Sequence, residues 1–243
     1  STEGKGKVDS KRIELAVFRG LEWLASRQQT NGPYAGAFGL GRAPVAITSL
    51  CGLAFLAGGH MPGRGKYGTN VQKCAEYLLA NVSASGYINE GVDRSAGGSG
   101  MHGHGFALLF LAQLYGTYDS REVPFAKKLR EALRKAVDLS CRAQVANGGW
   151  GYNPTPDFDE GSVTVTQVQA LRAARIAGIN VNIDTIKRAV EYINRCTNDR
   201  GETRYQLSGG NTSFALSAAG ISVLNFLGDY QNPKIRKGLD NMI

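Results

Sequence analysis

Four times along this chain a basic residue is followed thirteen positions later by a glycine, with apolar residues between them. The copies are Arg19-Gly20, Trp23-Leu24, Gln28, Gly32; Lys73-Cys74, Tyr77-Leu78, Val82, Gly86; Lys135-Ala136, Leu139, Gln144, Gly148; and Arg188-Ala189, Tyr192-Ile193, Thr197, Gly201. Two copies keep a glutamine, and the same two close on an aromatic residue, Tyr34 or Trp150. After each glycine an apolar run leads to a second one, Gly58, Gly116, Gly178 or Gly228, 26, 30, 30 and 27 residues on. The basic starts lie 54, 62 and 53 residues apart. A period of this size is that of a helical hairpin, longer than the usual solenoid modules. Such a unit buries its apolar face only by stacking on the next.

The two helices of each hairpin differ in character. The run Phe125 to Val137 is amphipathic, with apolar positions recurring at three and four. The runs Gly105 to Ala112 and Ser213 to Ile221 are apolar nearly all round, and a helix apolar on every face is buried on every face. Alternation of half-wet and dry helices predicts two concentric layers, with small residues letting the inner helices approach closely. The expected fold is all-α, an α/α toroid over residues 12–243 made of four hairpins and the start of a fifth, preceded by a flexible polar segment, residues 1–11.

Composition narrows the partners. A chain that is 42% hydrophobic and 20% charged can bury a sizeable core. The net charge of +8 permits an anionic membrane surface as a partner. The basic residues, however, are dispersed over several helices with no run of five, so nucleic acid is not expected. There is no run of 18 apolar residues to span a membrane, and the compartment stays open. The four cysteines show no C-x-x-C spacing and are expected as free thiols.

The recurring basic–aromatic pattern that leads to Gln144, Gly148 and Trp150 resembles the QW motif of squalene–hopene and other triterpene cyclases. Their wider group is the terpene cyclase and protein prenyltransferase β-subunit superfamily of α/α-toroid fold. The resemblance covers about residues 12 to 243. It implies that the motif ties neighbouring hairpins together, the glutamine bonding free backbone groups at helix ends and the glycine permitting the turn.

The repeat places the loops before the inner helices at one rim, where helix N-termini offer N–H groups and positive dipole ends. Candidate ligand-binding residues there are Arg42, His102, His104, Tyr205 and Asn211. The same rim carries Pro156-Asp157-Phe158-Asp159-Glu160. Hopene-type cyclases have an Asp-x-Asp-Asp motif at an inner-helix start, whose central Asp protonates an alkene. By that resemblance Asp157, Asp159 and Glu160 are the candidate catalytic acids. Yet matching the following Ala170-Leu171 puts the motif's place at Glu160, Ser162 and Val163. The plainer role for the acids is to cap the next helix. They are expected beside a helix starting near Ser162, at least one of them within reach of the rim of His102 and His104. His102 and His104, two apart, point to different faces of a helix.

Prenyltransferase β subunits hold zinc with Asp, Cys and His. The matching helix here, residues 211–217, has no His or Cys, so neither metal nor cofactor is expected. The expected function is a terpene cyclase/prenyltransferase-like protein whose cavity holds an apolar, isoprenoid-like ligand, with catalysis left open. Alternatives are a non-catalytic protein-binding scaffold and a carbohydrate-active toroid enzyme, which would need two carboxylates facing one cleft. The chain ends partway into the fifth outer helix. A further hairpin or self-association is therefore expected to cover the apolar flank of the helix from Thr212 to Leu227.

Overall fold

The computed structural model describes residues 9–39, 43–89, 100–119, 122–226, 228 and 230–242. Within them lie nine α-helices: α1 Ser10–Arg27, α2 Pro44–Ala57, α3 Gly68–Ala80, α4 Gly100–Gly116, α5 Pro124–Arg142, α6 Gly161–Ile176, α7 Ile183–Cys196, α8 Phe214–Phe226 and α9 Pro233–Asp240. One antiparallel pair of short strands, β1 Arg204–Gln206 and β2 Gly209–Thr212, precedes α8. The fold is all-α with the layering of an α/α toroid. The even-numbered helices pack side by side in the order α2, α4, α6, α8. The odd ones from α3 onward cover one side of that row. Helices α2 and α8 share no packed face, so the described residues form an open arc. The side of the inner row turned away from the outer helices is its concave face.

The inner helices approach closely because small residues sit in their seams. A Cβ on Gly52 would lie 2.6 Å from the ring of Phe110, and one on Gly105 2.6 Å from the Thr166 hydroxyl. The core runs continuously between the layers and includes Phe55, Leu108, Phe110, Leu133, Trp150 and Tyr192, all fully or almost fully buried. The four cysteines are free thiols. Asp9 caps α1, its Oδ1 accepting from the Lys11 N–H at 3.1 Å, so helix begins within the segment the sequence reads as flexible.

Two devices bolt the hairpins together, the second of them in the first, third and fourth hairpins. First, the turn glycine presses on the backbone of the following outer helix. Gly36, Gly86 and Gly148 have φ of 88°, 92° and 99°, a region costly for any other residue. A Cβ on them would collide with the carbonyl oxygens of Lys73, Lys135 and Arg188. Second, a polar side chain fills the gap beside the turn. Gln28 Nε2 donates to the carbonyls of Gly36 (2.8 Å) and Asn70 (3.1 Å). Gln144 Nε2 donates to those of Gly148 (3.0 Å) and Thr185 (2.9 Å), while its Oε1 accepts from Arg188 Nε at 3.0 Å. In the fourth hairpin Thr197 stands in the glutamine's place. There Lys234 of α9 reaches back instead, donating to the Asn194 and Thr197 carbonyls at 2.7 and 2.6 Å.

These contacts shift the register of the first hairpin. Its turn glycine is Gly36 and its following apolar residue Phe38, not Gly32 and Tyr34 as the spacing suggests. The short 3-10 turn Gly32–Tyr34 is an insertion that displaces the glycine by four positions.

Candidate functional site

Two residues after each turn glycine, a backbone N–H donates to a side chain in the first turns of the next inner helix. Phe38 donates to Thr48 Oγ1 (2.9 Å), Ile88 to His104 Nδ1 (3.2 Å), Trp150 to Thr164 Oγ1 (3.0 Å) and Thr203 to Ser217 Oγ (3.0 Å). His104 therefore occupies a scaffold position. It is completely buried, and burial depresses its pKa to about 4, only partly offset by a backbone hydrogen bond to Ala136, so the ring is neutral. Its Nε2 lies 3.0 Å from the Ser140 hydroxyl, whose proton goes to Gln167 Oε1 at 2.8 Å. The nitrogen must then be the donor, since a hydroxyl has one proton to give. Gln167 continues the chain to the Met101 carbonyl (2.7 Å), and Trp150 Nε1 donates to the Ser140 carbonyl at 2.7 Å. The expectation that His104 touches a ligand is corrected: its ring lies in the core with both nitrogens engaged.

His102 stands two residues earlier, so its ring leaves α4 on a different face. It is half-buried at the rim. Its Nε2 is 2.9 Å from Ser162 Oγ, and Ser162 donates to Glu160 Oε2 at 2.6 Å. By the same single-proton argument His102 donates to Ser162. The two inner helices α4 and α6 are thus joined at their N-termini by a chain from His102 through Ser162 to Glu160. Burial lowers the pKa of His102, and the nearby Glu160 charge only partly restores it. Glu160 is the N-cap of α6, its Oε2 accepting from the Val163 N–H at 2.8 Å, and it is itself buried.

The other two acids hold loops. Asp157 is exposed and accepts from the Phe158 N–H at 2.9 Å. Asp159 accepts from Asn147 Nδ2, the Tyr192 hydroxyl and the Leu207 N–H, each at 2.8 Å. Burial alone would raise its pKa, but the donors outweigh burial and hold the carboxyl below its ordinary range. Through Leu207, Asp159 fixes the β1–β2 hairpin, whose Arg204 and Tyr205 carbonyls crowd Gly161 at the start of α6.

Tyr205 is consequently near the rim, its hydroxyl 3.3 Å from Ser213 Oγ, while Asn211 is exposed on β2. Arg42 lies outside the described residues. Aromatic rings that the sequence did not single out complete the rim. Tyr152 lies 6.2 Å from the His102 ring and edge-on to Phe158 at 5.3 Å. Burial raises the Tyr152 pKa, and Glu160 and Tyr205 add to the effect. Among the described residues no three His, Cys, Asp or Glu side chains converge as metal ligands.

Below the rim the concave face turns apolar. Along α4 the stripe His102, Phe106, Leu109, Gln113 follows the spacing of one helix face, and Ser162, Gln169, Ala173, Ile176 does so along α6. Seven residues, roughly 10 Å of helix, separate the rim from the first of two adjoining hollows. The first, about 270 Å³, is lined by Leu109, Gln113, Val168, Gln169, Arg172 and Val223 among others. The second, about 580 Å³, lies between the C-terminal ends of α2, α4 and α6, against Leu56, Met61, Ala112 and Ile176. Both share Gln113, Ala173 and Ile176.

No protein-family model matches the chain, and no curated protein matches its sequence. Among solved structures it is similar to a variant of the type II terpene cyclase MstE from Scytonema in complex with its product, merosterolic acid A. The identity is 14% and the TM-score 0.60, over 94% of this chain and 63% of that one. The chain thus has a terpene cyclase-like fold and spans less than two thirds of that structure's length. No described helix is long and apolar enough to cross a membrane.

Proposed function

We propose that this chain is a terpene cyclase-like protein that holds an apolar, isoprenoid-like ligand against the concave face of its inner helices. The observation that carries the reading is the pair of facing stripes on α4 and α6. They descend from the His102–Ser162–Glu160 chain into adjoining, mostly apolar hollows, which suit a long hydrocarbon with one polar end. His102, Tyr152 and Tyr205 guard the upper end of that path. The neighbouring fold, solved with a terpenoid product, is in keeping with such a ligand.

The reading is of binding in preference to cyclisation. Alkene protonation demands a strong acid in a dry site, and neither Asp157, in solvent, nor Asp159, loaded with three donors, is suited to it. At the position that the resemblance assigns to the central acid stands Ser162, leaving Glu160 as the carboxyl linked to the concave face. Nor do the three acids face one another across a cleft, as glycoside hydrolysis requires.

The test is to incubate the protein with squalene, farnesol and geranylgeraniol, measuring bound ligand and extracting products for mass spectrometry. Saturable binding without a cyclic product is expected. Absence of binding to any of the three sinks the proposal. A cyclic product that vanishes in Glu160→Gln makes the protein an enzyme with Glu160 as its acid.

A further inference from the structure

Two glutamine side chains on the concave face stand apart from the scaffold. Gln113 of α4 and Gln169 of α6 line the same hollow of about 270 Å³, and Gln113 also lines the larger one. Neither has a hydrogen-bond partner among the described residues. The scaffold glutamines differ. Gln28, Gln144 and Gln167 are buried, and each is bonded at both its amide oxygen and its amide nitrogen. Arg172, the third polar side chain lining the smaller hollow, is already engaged with another group of the protein. The rest of that lining is aliphatic. A ligand that fills the hollow takes both free amides out of water. A plain hydrocarbon leaves them unpaired, at the desolvation cost of each, and a site of that kind favours a ligand that can pair them.

Building on the apolar-ligand reading, we infer that the ligand of this face is an isoprenoid alcohol whose hydroxyl is held between Gln113 and Gln169. A hydroxyl has one proton to give and lone pairs with which to accept. One amide takes that proton on its carbonyl oxygen, and the other donates an N–H to the hydroxyl oxygen. An ether of the same chain gives no proton, and its oxygen is flanked by carbon on both sides, so it makes one bond fewer. A carboxylate or phosphate sheds its hydration for two neutral amides, with Arg172 occupied elsewhere, and is disfavoured. The smaller hollow takes the hydroxyl end. The hydrocarbon chain lies past Ala173 and Ile176, which both hollows share, in the larger one of about 580 Å³.

The experiment measures displacement of tritiated farnesol by farnesol, farnesyl methyl ether, β-farnesene and farnesoic acid at pH 7.5. It uses the wild-type protein, Gln113→Leu, Gln169→Leu and the double variant. Each affinity is taken relative to that of β-farnesene for the same protein, which removes the general pull of the chain toward an apolar surface. One hydrogen bond is worth about fivefold. The farnesol ratio is therefore expected to fall about fivefold in either single variant and roughly 25-fold in the double one. The methyl ether ratio is expected to fall by only about fivefold in the double variant. An unchanged farnesol ratio in the double variant overturns the inference. So does an ether that responds as strongly as the alcohol, or farnesoic acid that binds wild type more tightly than farnesol. Gln113 is exposed, so Gln113→Leu is expected to unfold at the wild-type temperature. Should Gln169→Leu fail to fold, an unchanged ratio in Gln113→Leu alone overturns the inference. Saturable farnesol binding with unchanged ratios removes only the hydroxyl assignment. Failure of every ligand to bind wild type removes the apolar-ligand reading and this inference with it.

Discussion

The backbone N–H of Ile88 donates to Nδ1 of His104 at 3.2 Å, in the place where the other hairpins use Thr48, Thr164 and Ser217. An imidazole doing a hydroxyl's work brings a pH liability with it. Its ordinary pKa of 6.5 falls to about 4 on burial, so between those values only the unfolded chain takes up the proton. Stability is therefore full above pH 6.5 and is lost as the pH falls toward 4, by about 3 kcal/mol for this group alone. Urea denaturation at pH 7.5 and pH 4.5 is expected to show a smaller loss in His104→Ser than in wild type. Equal losses would mean that the imidazole does not govern the acid limb.

Asp159→Asn is expected to weaken the hold of the loop before α6 on the β1–β2 hairpin without touching the concave face. The carboxylate accepts from three groups on three segments, and an amide serves fewer of them. The cost is about 1–2 kcal/mol. Hydrogen exchange at the Leu207 amide is the direct readout and should accelerate, while farnesol affinity stays at the wild-type level.

Gly148→Ala places a Cβ on a residue at φ 99° and drives it into the Arg188 carbonyl. Strain and backbone displacement together are expected to cost about 3 kcal/mol or more. The same substitution at Gly178, at φ 87° but facing open space, should cost only about 1–2 kcal/mol. Urea midpoints of the two variants separate the clash from the strain.

Gln144→Leu leaves the carbonyls of Gly148 and Thr185 without their donor and Arg188 without its acceptor. The expected loss is about 2–3 kcal/mol, read as a lowered midpoint in thermal or urea unfolding.

Ile176→Gln tests the concave face itself. Ile176 is 76% exposed and lines both hollows, so stability should move by no more than about 0.5 kcal/mol. Affinity for an apolar ligand should fall roughly tenfold through the lost apolar contact. Unchanged affinity would place the ligand elsewhere.

The hairpin period was readable because glycines at fixed spacing and the alternation of amphipathic with all-apolar helices both leave marks in one dimension. The register of the first hairpin was not, because counting thirteen residues finds Gly32 and cannot see that Gly32–Tyr34 coil into a turn of their own. The scaffold role of His104 was within reach: Thr48, Thr164 and Ser217 hold the equivalent place in their hairpins, but a histidine among hydroxyls invites a reading from its chemistry. His102 and Ser162 are 60 residues apart and meet only because α4 and α6 are neighbours in the inner row. Their contact depends on the rotation of each helix about its axis, which composition and spacing leave free. Arg172 looked like one more basic residue near a helix end. Only the packed seam reveals that it lines a hollow.

The glycine seams of the inner row have a geometric consequence. Gly52 against Phe110 and Gly105 against Thr166 set how nearly adjacent inner helices approach, while the turn glycines lodged against Lys73, Lys135 and Arg188 set the spacing behind them. The difference acts as a wedge angle at every joint, and the angles add along the row. The radius of curvature of the whole arc is therefore written in a few missing methyl groups. One Cβ added at such a seam would be magnified by the length of the row on either side, and would flatten the concave face as a shim opens a hinge.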